Sequence, residues 1–265
     1  MNIGLVIVGD EILSGKRQDK HLSKVIELLG ARALALSWAR YVGDDRERIT
    51  RCLRDAFASA DLVFCCGGIG ATPDDHTRQS AAAALAVPLV LQDDAKQLIL
   101  ERMRDVAAEQ GLPYEPDRHD NRHRLNMGMF PQGAQIIPNP YNKIAGFSVG
   151  SVYFVPGFPV MAWPMIEWVL DTRYAHLQGG PALLEKSVIV LGGMEALLTP
   201  LMEEVEARFA GVKVFSLPSV DPSHPLGRHI ELGVKGKASV VDEAYRALRG
   251  GLGALGARCG PELVR

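Results

Sequence analysis

A chain of 265 residues with 47% hydrophobic and 23% charged residues has the composition of ordinary globular proteins, which excludes a disordered class. Its formal net charge of −2 supplies no global basic field, so no nucleic-acid partner is expected. The length suits one large α/β domain, or a domain of roughly 170 residues with a small appendage.

The first segment, MNIGLVIVGDEIL, is interrupted by Asp10 and Glu11, lacks a basic leader and is far short of a membrane span. It reads as the first buried strand of a cytoplasmic protein without a membrane partner. DKHLSKVIELLGA then places Leu22, Val25, Ile26 and Leu29 at helical spacing, with Gly30 as the stop. LALSWARYV is a second strand. In DDRERITRCLRDAFASA, Ile49, Leu53 and Phe57 recur every four residues. That spacing predicts an amphipathic helix, with Asp44 or Asp45 at its amino terminus to cap free amides.

LVFCC is the third strand. After GGIGATP comes the alanine-rich helix of DDHTRQSAAAALA, then a short strand, PLVL, and a long amphipathic helix, DDAKQLILERMRDVAAEQG. LPYEPDRHDNRHRLNMGMFPQG is dense in charge and punctuation, and reads as an extended loop holding a short helix. Short apolar segments follow: AQIIPNP, IAGFSV and SVYFVPGFP. The last runs into the helical pattern VMAWPMIEWVLDTRY, which Pro164 should start or kink. The alternation predicts an α/β domain over residues 1–176, a mostly parallel sheet with helices on both faces.

A break at LQGGP, Leu177 to Pro181, separates this domain from residues 182–265. There KSVIVLG, MEALLTPLMEEVEARFA, VKVFSLPS, RHIELGVKG and SVVDEAYRALRGGLGAL read as βαββα. This is a small α+β domain with helices on one face of a mainly antiparallel sheet, in an accessory or oligomerisation role. The four cysteines, Cys52, Cys65, Cys66 and Cys259, form no CxxC pair, and buried reduced thiols are expected rather than zinc or disulfides. Cys65 and Cys66 should point to opposite faces of their strand.

Three acid-bearing turns end the first three strands: VGDE with Asp10 and Glu11, VGDD with Asp44 and Asp45, and PDDHT with Asp74 and Asp75. In an open parallel sheet, ligands bind beyond the carboxyl ends of the strands, so these turns can share one crevice. A glycine-rich turn ahead of a helix suits phosphate, because free amides and the positive helix end face it. Carboxylates beside phosphate suit a hard divalent cation such as Mg²⁺. Singly, each acid is also explained as a helix cap. GGIGATPDDHT is neither the P-loop pattern nor the dinucleotide GxGxxG fingerprint.

The ordered segments VGDEILSG (8–15), VGDDRERI (42–49), GGIGATPDDHT (67–77), PNPYNKIAGF (138–147) and VPGFP (155–159) resemble the molybdopterin-binding (MoaB/Mog-like) domain family. The closer likeness is to its CinA-type branch, the competence/damage-inducible proteins. The resemblance implies that Gly67, Gly68 and Gly70 wrap a phosphate of the ligand, with Thr72 beside them. Asp75 and Thr77 would fill the family's Asp-x-Thr positions, and Asp44 its other functional acid. Asp44 and Asp75 thus become the candidate catalytic and metal-holding residues, and Asp10 and Glu11 join the ligand set.

The resemblance further implies a small phosphorylated ligand, a pterin such as molybdopterin or a nucleotide, and a homo-oligomer. Two activities come with it: metal-dependent hydrolysis of a phosphoanhydride such as that of ADP-ribose, or adenylyl transfer to molybdopterin. A non-catalytic binding protein is the alternative from another class. Ala71 stands where many relatives have proline, and YNKIAGF replaces a small, glycine-containing run, which puts Tyr141, Asn142 and Lys143 near the expected cavity. The carboxy-terminal amidohydrolase domain of CinA-type proteins is absent from these 265 residues, so no nicotinamide mononucleotide deamidase activity is expected. In RHDNRHR, Arg122 and Arg124 suit phosphate oxygens. His119 and His123 share a helical face, without an evident third metal ligand.

Overall fold

The computed structural model describes residues 1–179, 183–221 and 223–265. It divides into two compact units, Met1–Gln178 and Gly179–Arg265. Gly180 and Pro181, part of the expected break, lie outside the described residues.

In chain order the first unit comprises β1 (Ile3–Val8), α1 (Asp10–Leu13), α2 (His21–Gly30), β2 (Trp38–Val42), α3 (Arg46–Ala58), β3 (Leu62–Cys66), α4 (Thr77–Leu85), β4 (Leu89–Leu91) and α5 (Asp93–Glu109). Then come α6 (His119–Arg124), a 3₁₀ turn (Leu125–Gly128), β5 (Met129–Pro131), β6 (Gln135–Ile137), β7 (Gly146–Val149), β8 (Val152–Val155) and α7 (Pro159–Arg173). The main sheet has the order β2-β1-β3-β8-β7-β6. β2, β1, β3 and β8 pair in parallel, and β7 and β6 are antiparallel additions.

β1 and β3 are buried along their whole lengths, as strands covered on both faces must be. Alternation sends Ile3, Leu5, Ile7, Leu62, Phe64 and Cys66 into one core with α2 and α7. Val6, Val8, Val63 and Cys65 enter a second core with α3. Cys65 and Cys66 therefore do face opposite sides. On the second side the rings of Phe130, Phe147 and Phe154 stack in succession, with centroids 4.7 and 4.3 Å apart. Such contacts contribute about 0.5–1.5 kcal/mol each beyond their buried area. They explain why the short apolar segments after residue 128 settle as strands.

Element ends follow local chemistry. Asp45 caps α3, its side chain accepting from the amide of Arg48. α7 starts at Pro159, where a missing N–H costs nothing, and continues through Pro164. Gly30 lies inside α2 rather than ending it; Ala31 is the cap.

The second unit contains β9 (Leu183–Leu191), α8 (Glu195–Arg208), β10 (Lys213–Ser219), β11 (His229–Lys237), α9 (Ala238–Ala254) and β12 (Cys259–Val264). Its antiparallel sheet has the order β10-β11-β9-β12. Val188, Val190, Ile230, Leu232 and Val234 meet Leu198, Val205, Val241 and Leu248 of the two helices in one core. β12 is a strand beyond the expected βαββα order. Pro261 lies within it, at a register shift between Cys259 and Glu262, and a proline is tolerated there because β12 is an edge strand. No helix among the described residues is long and apolar enough to cross a membrane.

Candidate functional site

Register decides which loops meet. Val8 pairs with Val42, Ile7 with Cys66, and Cys66 with Val155, so four parallel strands end at one level. The loops that leave them carry Gly9–Glu11, Gly43–Asp45, Gly67–Thr77 and Pro156–Pro159. Their strand ends are tied in a row, Gly9 N–H donating to Val42 O and Gly67 N–H to Val155 O, both at 3.0 Å. A cavity of about 540 Å³ opens between these loops.

Gly67 and Gly68 have φ of 103° and 70°, values that favour glycine. Space demands it as well. A Cβ on Gly67 would run into the carbonyl of Val8, on Gly68 into the Thr77 hydroxyl, and on Gly70 into the Asp75 carboxylate. Thr77 is fully buried. Its hydroxyl donates to Gly67 O and its amide to Gly68 O, each at 2.9 Å. Below the turn, Arg78 is 4% exposed and one guanidinium nitrogen donates to Gly70 O. Its Nε has no partner among the described residues. Burial pulls the Arg78 pKa down and the charge of Asp75 opposes that.

The two principal acids are held by different devices. Asp44 Oδ2 accepts from the Asp10 amide at 2.8 Å, and Asp10 Oδ1 accepts from the Asp44 amide at 3.2 Å, a reciprocal clamp between the first two turns. Desolvation pushes the Asp44 carboxyl above the usual range. The Asp10 amide opposes this, and the charges of Asp10, Glu11 and Asp74 reinforce it. Asp75 Oδ2 accepts from both the amide, at 2.8 Å, and the hydroxyl of Thr72. Each acid keeps its other carboxylate oxygen free of protein hydrogen bonds among the described residues.

The cavity wall unites Gly67, Gly68, Gly70, Thr72, Asp44, Asp75, Glu11 and Asn142. The other expected ligand residues lie off the wall, Arg124 among them. Thr77 is the internal brace of the turn and Asp10 is the latch of Asp44. Lys143, at φ 66°, directs its ammonium to Asp105 at 2.7 Å and Glu101 at 3.7 Å. Arg122 is exposed on α6; the long loop reaches the cavity through Met127. His119 and His123 bring their Nε2 atoms to 3.4 Å. Nowhere among the described residues do three His, Cys, Asp or Glu groups stand placed to hold a metal.

Asp74 of the third acid-bearing turn lines the cavity as expected, and Arg17, Phe158 and Met161, which the sequence motifs do not single out, line it too. Phe158 sat within the quoted VPGFP turn, where an aromatic beside glycine and prolines was the available signal. Arg17 carried no signal, because it lies in the loop before α2 and only folding brings it to the wall. A smaller chamber of about 310 Å³ adjoins the first, sharing Glu11, Arg17 and Phe158 with it. Its wall includes His21, 4% exposed, whose Nε2 lies 3.0 Å from Gly157 O. A carbonyl only accepts, so Nε2 carries the hydrogen. Gly157 in turn lies against Gly67.

Residues 4–176 match the family described as "Probable molybdopterin binding domain". The chain is 30% identical over 220 residues to a CinA-like protein of Anaeromyxobacter dehalogenans, covering 80% of this chain and 51% of that protein. It is 30% identical over 227 residues to a CinA-like protein of Frankia casuarinae, covering 83% and 51% respectively. It thus spans about half the length of these curated relatives. Among solved structures, the protein CinA with unknown function from Thermoplasma acidophilum is similar, with a TM-score of 0.53 and 26% identity, covering 64% of this chain and 96% of that one.

Proposed function

The chain belongs to the molybdopterin-binding domain family, in its CinA-like branch, and from that premise we propose that its cavity binds a phosphorylated pterin or nucleotide and hydrolyses a phosphoanhydride such as that of ADP-ribose. The observation that carries this reading is the register: four strand ends gather the turn of Gly67, Gly68, Gly70 and Asp75 and the neighbouring turn of Asp44 around one cavity.

Electrostatics supports a cation in that reaction. Glu11, Asp44, Asp74 and Asp75 line the cavity with Arg17 as the one cation among them, so a bare phosphate would meet net repulsion. Mg²⁺ is commonly held by one or two carboxylates together with substrate phosphate oxygens. The free oxygens of Asp44 and Asp75 fit that donor set, whereas the protein alone lacks a three-ligand cluster among the described residues. A divalent ion so held would neutralise charge developing on the phosphate.

The chain's own groups do the rest. With the Gly67 N–H held by Val155 O, the amides of Gly68 and Gly70 are the turn's donors to phosphate oxygens, Thr72 fixes the Asp75 carboxylate, and that carboxylate orients the attacking water or holds the ion. Water adds to phosphorus, the bridging P–O bond breaks, and the water proton is released as AMP and ribose 5-phosphate form. A cytoplasmic homo-oligomer completes the reading; light scattering of the purified protein tests the assembly.

The test is chromatographic detection of AMP from ADP-ribose by wild type and Asp75→Asn, with Mg²⁺, Mn²⁺ or Co²⁺ and a chelator control. AMP is expected only from metal-loaded wild type, while the circular dichroism melt of Asp75→Asn barely moves. Consumption of ATP with a pterin dithiolene would instead assign adenylyl transfer. Tight binding without product under all three metals would leave a ligand-binding protein. Full activity in Asp75→Asn would return Asp75 to a purely local role in its turn.

A further inference from the structure

The glycine turn accounts for one phosphate; the smaller chamber beside it has no part in that account. Ile7, Ile12 and Cys66 give it apolar walls, and Gln18 and Lys20 stand on its polar side. It adjoins the larger cavity, and Val8, Glu11, Arg17, Gly157 and Phe158 line both. We propose that Arg17 reads a second anionic group at the junction of the two chambers. Arg17 then sets the preference of this site for a diphosphate over a single phosphate, with the group beyond the second phosphate lying toward the smaller chamber.

Three observations carry this. First, Arg17 and Lys20 are exposed, and neither has a carboxylate within ion-pair distance among the described residues, whereas Lys143, Arg32 and Arg40 are all paired. The nearest acid in sequence, Asp19, is occupied: it accepts from the amides of His21 and Leu22 and from the Tyr41 hydroxyl. Second, Arg17 is the one cation among the residues lining a wall that bears four carboxylates, so an anion extending past the glycine turn meets it first, with Lys20 further along the smaller chamber. A guanidinium fork can grip two phosphoryl oxygens at once, which an ammonium cannot. Third, Phe158 is 55% exposed at the shared edge, an apolar face that a planar ring can cover.

His21 Nε2 holds the carbonyl of Gly157, a residue that lines both chambers.

The inference rests on the phosphate-binding reading of the glycine turn, and the experiment separates the two. Isothermal titration calorimetry with Mg²⁺ present would compare AMP with a non-hydrolysable, methylene-bridged ADP-ribose, on wild type, Arg17→Ala and Lys20→Ala. Wild type is expected to bind the diphosphate compound at least tenfold more tightly than AMP. Arg17→Ala should erase that tenfold preference while AMP affinity stays within twofold, and Lys20→Ala should reduce it. Because Arg17 is exposed, an unchanged melt is expected to accompany the loss. Equal affinities in wild type, or a preference that survives in Arg17→Ala, would overturn the inference and leave the glycine-turn reading standing. Binding of neither compound to wild type would overturn both.

Discussion

At Asp44 stability and the proposed function oppose each other. Its carboxyl is pushed above the ordinary range, chiefly by desolvation, with the Asp10 amide pulling the other way and the neighbouring acids adding to the rise. The folded chain then holds this proton more tightly than the unfolded chain does. Stability from this group is therefore greatest below the ordinary carboxylate range and falls as pH rises through the window up to the raised value. Asparagine removes that slope, and its side-chain oxygen can still accept from Asp10. Asp44→Asn should melt at or above the wild-type temperature at pH 7, with the gap closing as pH falls toward 4, while ligand binding weakens. Thermal melts over that pH series check it. A variant that melts lower at every pH would make Asp44 a structural latch first.

The glycine-rich turn shows how an element can look like a ligand cradle for reasons internal to the fold. Gly68 has positive φ and no space for a Cβ, because Thr77 is locked beneath it. Gly15 has nearly the same φ, 72°, and open space around it. A non-glycine residue in this region costs roughly 1–3 kcal/mol, so both alanine variants should lose stability, but Gly68→Ala must also displace Thr77. Its melting temperature should fall further than that of Gly15→Ala, and it should lose ligand binding, which Gly15→Ala keeps. Equal melts would mean that Thr77 yields easily. The contrast also marks what the sequence could convey. Periodicity and punctuation exposed nearly every strand and helix, because one residue's burial repeats along its own element. They missed β12, where Gly260 and Pro261 interrupt the alternation, the three-residue β5 inside the expected loop and the single-turn α1 after β1, and they could not tell which side chains of a loop face inward. Lys143 and Arg17 are both loop cations near recognised motifs; the first turns to Asp105 and the second lines the cavity. That difference is set by packing across long separations, which no local pattern records.

At the scale of the whole molecule, each unit closes its own hydrophobic core. The two cores of the first unit draw only on residues up to Tyr174, and the core of the second only on residues from Leu184 onward. The proposed ligand touches residues of the first unit alone. Ligand binding stabilises whatever cooperative block contains the site, by about 2.7 kcal/mol at a free concentration of a hundred times Kd. For a block of 150–250 residues that is a rise of roughly 5–11 °C, at about 2–4 °C per kcal/mol. Calorimetry of the full chain should therefore resolve two transitions, and saturating ligand should move only the one belonging to residues 1–178. Residues 1–178 expressed alone should then melt cooperatively and bind with unchanged affinity. If ligand instead moves both transitions together, or if the isolated unit fails to fold, the second unit is part of the machinery that holds the site. The residues that matter for binding would then have to be sought in its sheet as well.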